Sequence, residues 1–448
     1  MRGAASGRAR AAWVAGAAAA LIAGCASKGP PPPSGPRIDR DDVAYLVAPS
    51  TGFPATASPD LLRKVDAAFE SKLLQGDLTA AVGIADAVLA VDPELAPAEV
   101  LRGQARLVAR DLAAARATLD DVIRRYPDYT AAALAAAHAA DLDADPAAAY
   151  ALFRRFTRAS PAALDRAGEL HQAAVSAVAA QVEDAVGKGR LDEARQSLAT
   201  LEEWAPGEQA TLEAALGLAR AAGDKAAELS AVRGLLASAR SGDEVLFERR
   251  GELELEAGQP SAAIEIFQEL QRRHPNEPRH ADQVSLAKFR WRVQNLPTDV
   301  RRLVDTPELT RAEFAVLVYW LVPGVRAAVV SSPHIASDIL DHPHRQEMMR
   351  VANLQLLDLD ETLRRFNPDW AVRRSQALKA LERVLQRAQP APTCVAGLAG
   401  NPSPSREAVC GVAVACGLLP ETADCLPEGG LSGADAAAWI RRTGELLP

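Results

Sequence analysis

Aromatic residues, basic clusters and catalytic motifs are scarce in this 448-residue chain. Only 4% of the residues are Phe, Trp or Tyr, which disfavours β-sheets because strands are enriched in aromatic and β-branched residues. The formal net charge is −8 and no Lys/Arg cluster occurs, so we expect no nucleic-acid partner. Gly-rich phosphate loops and the HExxH and GxSxG signatures are missing, so we predict no enzyme, no cofactor and no metal site.

The N-terminus carries a targeting signal. Residues 11–24 form an apolar stretch behind Arg2, Arg8 and Arg10, and this stretch is shorter than the roughly 20 apolar residues of a spanning helix. A basic head, a short apolar segment and a small-residue exit are typical of a secretory signal. The closing run Leu21-Ile22-Ala23-Gly24-Cys25 resembles the bacterial lipoprotein signal. That resemblance implies removal of residues 1–24, lipidation of Cys25 and, because Ala26 follows, location at the periplasmic face of the outer membrane. An ordinary secretory signal is the alternative.

The next segment, residues 25–59, is rich in Pro, Gly and Ser. Such a composition buries too little apolar surface to order itself, and its prolines keep it extended. We therefore predict a disordered tether between the membrane and the folded body.

A period of 34 residues follows the tether. Pro93, Pro127 and Pro161 are each 34 residues apart, and Gly or Asp precedes a small residue at a fixed offset inside this frame. These features predict antiparallel helix pairs in which Gly or Asp forms the turn and proline ends the second helix. The pattern resembles the tetratricopeptide repeat family over residues 60–277. The resemblance implies an all-α superhelix of helical hairpins, with an irregular helical bundle as the alternative.

In that family the first helix of each unit lines a groove that binds protein segments. Projection of the pattern places five acidic residues on this surface: Glu183, Glu213, Glu248, Glu252 and Glu256. The last three recur at intervals of four and therefore share one helix face. We predict a groove for a basic or amine-bearing protein partner, with an ordinary solvated helix face as the alternative.

A slower repeat begins after residue 280. Thr310-Arg311-Ala312-Glu313 opens a helix with a capping box, and related helix openings follow near Arg374 and Gly433. The spacing and the motif resemble the S-layer homology family over residues 281–448. The resemblance implies a mostly helical three-module domain that binds peptidoglycan or cell-wall polysaccharide. It carries across to Arg311 and Glu313 and, in part, to Arg374, whereas Gln376 and Gly433 depart from it. A purely structural helix cap is the alternative.

Several other residues invite a chemical interpretation. Trp291, Trp320, Trp370 and Trp439 could face sugar rings, but we expect them in the core. His342 and His344 with Asp338 and Asp341 could ligate a metal, but an exposed loop is the simpler interpretation. Four clustered cysteines predict two disulfides in an oxidising compartment, with a zinc site as the alternative. They are Cys394, Cys410, Cys416 and Cys425. Of the three pairings, we predict Cys394–Cys410 with Cys416–Cys425.

These features predict a lipid-anchored cell-envelope scaffold. The repeats would hold a protein partner while the C-terminal domain contacts cell-wall glycan. One alternative is an outer-membrane assembly or export lipoprotein whose C-terminal domain is purely structural. Another is a cell-wall hydrolase or its activator.

Overall fold

The computed structural model describes residues 38–53, 57–158, 160–238, 240–322, 324–330, 335–360, 362–398, 405–420 and 429–447. The predicted signal and Cys25 lie outside these residues. Contacts divide the chain into two compact units, Met1–Ala177 and Val178–Pro448. Within the described ranges the regular structure is helical, apart from two isolated β-bridges, which confirms the predicted all-α class. No helix in these ranges has the length and apolar character needed to cross a bilayer.

The first unit consists of short helices joined by tight turns. A π-helix, Phe69–Leu73, continues the second of them. In chain order the helices are α1 (Arg40–Val43), α2 (Pro59–Ala68), α3 (Leu78–Leu89), α4 (Ala96–Val108), α5 (Leu112–Arg125), α6 (Thr130–Leu142) and α7 (Pro146–Arg155). A longer helix, α8 (Pro161–Gly187), contains the limit between the two units.

The second unit continues the hairpins and ends in a C-terminal helical cluster, whose core includes Phe289 of the last hairpin helix. The hairpin helices are α9 (Leu191–Trp204), α10 (Gln209–Ala222), α11 (Lys225–Ala237), α12 (Glu244–Glu256), α13 (Pro260–Arg273) and α14 (Pro278–Gln294). The C-terminal helices are α15 (Thr298–Arg302), α16 (Arg311–Leu321), α17 (Arg345–Asn353), α18 (Arg374–Gln386), α19 (Arg406–Ala415) and α20 (Gly433–Leu446).

The turn inside each hairpin has one recurring geometry. A residue with positive φ stands just before the second helix, at Gly76, Arg110, Ala144, Gly189, Gly223 and Gly258. In four hairpins the next residue is an Asp whose carboxylate accepts a backbone N–H of the second helix. This is the usual N-cap arrangement, in which the side chain satisfies an orphan N–H. The structure thus confirms the turns expected from the 34-residue period.

The small residue predicted after each turn lies in the helix–helix contact. In five hairpins it is alanine, and each of these alanines is 0% exposed. They are Ala81, Ala115, Ala149, Ala194 and Ala263. The hairpin of α10 and α11 is the exception, because the same position holds Glu228, which is only 2% exposed.

The predicted tether is wrong for residues 38–53. This segment is ordered against the first unit, and it buries Asp42 and Leu46. The prediction of disorder used the average composition of residues 25–59, which is rich in proline. This average gave no weight to the aromatic and aliphatic residues that pack here, including Tyr45 and Phe53. Residues 25–37 and 54–56 of the predicted tether lie outside the described residues.

The C-terminal cluster joins the starts of α16, α18 and α20. The Leu309 N–H donates to the Leu431 carbonyl at 2.8 Å, and the Val372 N–H donates to the Leu309 carbonyl at 2.9 Å. Isolated bridges pair Thr310 with Ala371 and Arg373 with Gly430. The three helix openings predicted from sequence are therefore present, and their backbones are hydrogen-bonded to one another.

Candidate functional site

The predicted acidic surface of the second unit is largely paired with arginine. Glu252 accepts a hydrogen bond from Arg249 at 2.7 Å, and Glu256 lies 4.0 Å from the same guanidinium. Glu248 accepts from Arg279 at 3.1 Å and from Gln283 at 3.0 Å. The carboxylates of these α12 glutamates are thus already paired with positively charged side chains.

The two other predicted groove residues lie on earlier helices. Glu213 of α10 accepts from Gln209 at 2.9 Å and from Arg240 at 3.0 Å. Glu183 lies exposed on the last turns of α8. The preference for a basic partner stays a prediction.

A buried ion-pair network connects α10, α11 and α12. Arg249 donates to both carboxylate oxygens of Glu228, at 2.9 and 3.0 Å. Arg220 and Lys225 approach the same carboxylate at 3.2 and 3.4 Å. These hydrogen bonds, with that from Arg249 the largest, overcome the opposing effect of burial and lower the pKa of Glu228 to about 2. Sequence analysis missed this site, although a glutamate at the small-residue position of the repeat was its visible signal.

A second buried carboxylate, that of Glu254 on α12, is also paired with arginine. Glu254 is fully buried and accepts from Arg233 at 3.0 and 2.6 Å. Arg250 approaches it from within α12 at 3.3 Å. Both glutamates connect adjacent helices and are satisfied within the fold, so they hold the repeats together and are not free to meet a ligand.

The C-terminal cluster contains a cleft of about 230 Å³ around the predicted glycan-binding motif. Its polar and aromatic lining comprises Arg311, Asp358, Asp360, Asn367, Trp370, Gln376, Lys379 and Arg383. Burial raises the pKa of Asp358, but hydrogen bonds from Arg383 at 2.7 Å and Lys379 at 3.1 Å outweigh it and leave that pKa below its usual range. The cleft therefore combines one exposed indole with cationic and acidic groups, and Asp358 pairs with two of the cations.

The motif residues themselves act inside the fold. Arg311 is 6% exposed and donates to the backbone carbonyls of Phe366 at 2.8 Å and Asp358 at 2.7 Å. Its guanidinium also lies over the Phe366 ring. Glu313 closes the predicted capping box with Thr310. Arg374 pairs with Asp435 at 2.6 Å. These contacts stabilise the N-terminal ends of α16 and α18, so the motif residues have a structural role in the fold.

Gly433 stands where the third module would carry its arginine. A Cβ at this position would lie 1.9 Å from the Leu303 carbonyl oxygen and 2.7 Å from that of Val304. Backbone atoms cannot yield as a flexible side chain can, so no larger residue fits. The arginine that the predicted third module would need at this position is therefore sterically excluded.

The four tryptophans divide between core and surface. Trp439 is buried beneath the Arg374 guanidinium, as expected, and the Trp320 ring is half-buried and covered by Arg326. Trp370 is 66% exposed and Trp291 47% exposed, so the expectation of a core position is wrong for both. Only Trp370 lines the cleft.

The predicted disulfide pairing is wrong. Cys394 is bonded to Cys416, with their Cα atoms 5.2 Å apart, and Cys410 is also in a disulfide. The 3₁₀-helix Thr393–Leu398 packs on α19, and this packing brings Cys416, the C-cap residue of α19, beside Cys394. Cys425 lies outside the described residues.

The histidine and aspartate cluster takes part in local hydrogen bonds. Asp338 accepts the backbone N–H groups of Phe366 at 2.9 Å and Asn367 at 2.7 Å. The Nδ1 atom of His342 accepts the backbone N–H of His344 at 3.1 Å. No group of three potential ligands suited to a metal ion occurs in the part of the chain that the structure describes.

Comparison with known proteins identifies the repeats. The tetratricopeptide repeat family model matches residues 98–129 and 247–277, which fall on the α4–α5 and α12–α13 hairpins. No curated protein matches the chain. A tetratricopeptide repeat protein from Parabacteroides merdae is 12% identical, with 54% of this chain and 96% of that chain covered and a TM-score of 0.21. The tetratricopeptide repeat domain of P58(IPK) is 14% identical, with 79% and 88% covered and a TM-score of 0.27. The two matched segments, each on a helical hairpin, support tetratricopeptide repeats at residues 98–129 and 247–277.

Proposed function

We propose that the protein is a non-enzymatic, lipid-anchored scaffold of the cell envelope that binds a protein partner through its tetratricopeptide repeats. The observation that carries the proposal is the series of hairpins with family-matched segments, since stacked hairpins present their first helices on one continuous face. The first helices of the second unit, α10, α12 and α14, provide this face. Their surface residues are mixed in charge because of the arginine pairs, so the partner would bind by shape and hydrogen bonding as well as by charge.

The lipid anchor would sit close to the repeats. If Cys25 carries the lipid, only residues 26–37 separate it from the packed segment that begins at residue 38. Twelve residues span at most about 40 Å when fully extended. The scaffold would therefore work near the periplasmic surface of the outer membrane.

Photocrosslinking in living cells tests the scaffold proposal. A photoreactive residue at Glu256, half-exposed on α12, should crosslink to one defined partner. The matched control is the same residue at exposed Glu265 on the second helix α13, which should give no such product. Equal crosslinking at both positions, or none at Glu256, contradicts binding by the first-helix face. Radiolabelled palmitate on wild type but not on Cys25→Ala tests the anchor independently.

A second candidate function is glycan binding by the C-terminal cleft. The observation that favours it is the exposed indole of Trp370 in the cleft, since an indole can stack on a sugar ring. Purified protein should sediment with peptidoglycan sacculi, and Trp370→Ala should abolish this. Trp291→Ala removes an exposed indole outside the cleft and should leave sedimentation unchanged. Unaltered sedimentation of Trp370→Ala favours the purely structural domain, and clearing of the sacculi would favour the hydrolase alternative.

A further inference from the structure

Residues 38–53 cover the first-helix face of the unit Met1–Ala177. The helices α2, α4 and α6 are neighbours, and each contacts this segment. Ser50 donates from its backbone N–H to Asp66 of α2 at 3.0 Å. The Val47 carbonyl accepts from Gln104 of α4 at 2.9 Å. Asp42 contacts His138 of α6 at 2.7 Å. The segment thus lies across three successive repeats.

One end of the segment is recognised through its side chains. The buried carboxylate of Asp42 meets the Nε2 atom of His138 and, at 3.0 Å, a guanidinium nitrogen of Arg110. Tyr45 packs between two rings, with its centroid 4.7 Å from His138 and 5.1 Å from Phe153. Leu46 follows and is buried. This pocket therefore accepts an acidic residue followed three and four positions later by an aromatic and an aliphatic residue.

The other end is recognised through its backbone. The Tyr129 hydroxyl donates to the Pro49 carbonyl, and the Ala131 N–H donates to the Thr51 carbonyl at 3.2 Å. Residues 49–52 form a turn, and contacts to its backbone carbonyls depend little on its side chains, while side-chain pockets provide specificity. The two ends together have the features of a bound peptide ligand.

We propose that this face is a peptide-binding site that residues 38–53 fill in the resting protein, and that a partner segment with the same acidic, aromatic and aliphatic spacing competes for it. The segment contains a single helix of four residues, α1, and lies outside the repeat hairpins. It can therefore leave while the hairpins keep their own helix–helix contacts, and such local opening costs less than global unfolding. The proposal goes beyond the scaffold function above and concerns a different unit, so each can fail without the other.

A trans-binding experiment on the full mature chain tests the proposal. The probe is a fluorescent peptide of residues 38–53, and the variant is Asp42→Ala with Tyr45→Ala, which weakens the segment in cis. The tethered segment competes at a high effective concentration in wild type, so the double variant should bind the peptide about tenfold more tightly or better. A peptide carrying Asp42→Ala is the control and should bind neither protein.

Two further measurements make the result decisive. Adding His138→Ala to the double variant should abolish peptide binding while the helical circular dichroism signal is kept. Excess peptide added to wild type should speed amide hydrogen exchange in residues 42–47 of the protein itself, because the tethered copy is displaced. Equal peptide affinity for wild type and a folded double variant overturns the proposal. If the double variant does not fold, unchanged exchange in peptide-saturated wild type overturns it, and accelerated exchange supports it.

Discussion

The buried carboxylate of Glu228 should contribute a large, pH-dependent part of the stability of the second unit. Its ordinary pKa of 4.5 falls to about 2 in the folded protein because of Arg249, Arg220 and Lys225. At about 1.4 kcal/mol for each pKa unit, this difference stabilises the folded state by about 3 kcal/mol at neutral pH. Glu228→Gln removes the charge while it nearly keeps the volume, so we expect it to lower the free energy of unfolding by about that amount.

The sign of the pH dependence follows from a lowered folded-state pKa. The contribution of Glu228 is fully present above pH 4.5 and is lost as the pH falls towards 2. The stability difference between wild type and Glu228→Gln should therefore shrink from about 3 kcal/mol at pH 7 to about 1.5 kcal/mol at pH 3. Urea unfolding followed by circular dichroism at both pH values measures it.

Glu252→Gln is the matched control for this experiment. Glu252 pairs with the same Arg249, but its side chain is 42% exposed, and exposed ion pairs contribute under about 1 kcal/mol. A difference for Glu228→Gln that is below 1 kcal/mol at pH 7, or identical at pH 7 and pH 3, would refute the reasoning.

Two other substitutions should stabilise the protein in urea or thermal unfolding. Ala144 has a φ of 58°, so Ala144→Gly should raise the free energy of unfolding by up to about 1 kcal/mol. Gly189→Ala should lower it, because Gly189 also has a positive φ. A lower free energy of unfolding for Ala144→Gly would contradict the turn geometry. Burial raises the pKa of Glu382 to about 8, and neither carboxylate oxygen has a hydrogen-bond partner among the described residues. A carboxyl group with a raised pKa in the folded state destabilises that state increasingly as the pH rises above its unfolded pKa. Glu382→Gln should therefore raise the free energy of unfolding by about 3 kcal/mol at pH 7 and leave it unchanged at pH 4. An effect of equal size at both pH values would contradict this prediction.

The repeats were predictable because their signal is local and recurs. Six hairpins share a residue with positive φ before the second helix, four have an Asp N-cap and five have a buried alanine at a fixed spacing. The glycines, aspartates and alanines among these residues are visible in the sequence. The same logic predicted the Thr310–Glu313 capping box, in which both partners lie within one helical turn. Glu228 occupies a position that holds alanine in the other hairpins, and this exception is visible in the sequence. The sequence does not show which arginines pair with the Glu228 carboxylate.

The functional surfaces were harder to predict because their contacts join distant parts of the chain. The α12 glutamates were placed on one face, but Arg279 is brought to Glu248 only by the packing of α14. Arg311 was predicted to bind glycan, yet its guanidinium donates to carbonyls about 50 residues away in sequence. A sequence pattern gives the position of a side chain on its element but not the groups that meet it.

The sequence by itself determined the helices, their turns and the repeat that stacks them, because these depend on interactions within a few dozen residues. Only the tertiary structure decided that residues 38–53 fold back onto the first repeats and that Cys394 joins Cys416. Both outcomes depend on which surfaces become neighbours after the helices pack. Burial of an aspartate or pairing of two cysteines is stabilising only when the partner arrives within bonding distance, and that distance is set by the assembled fold.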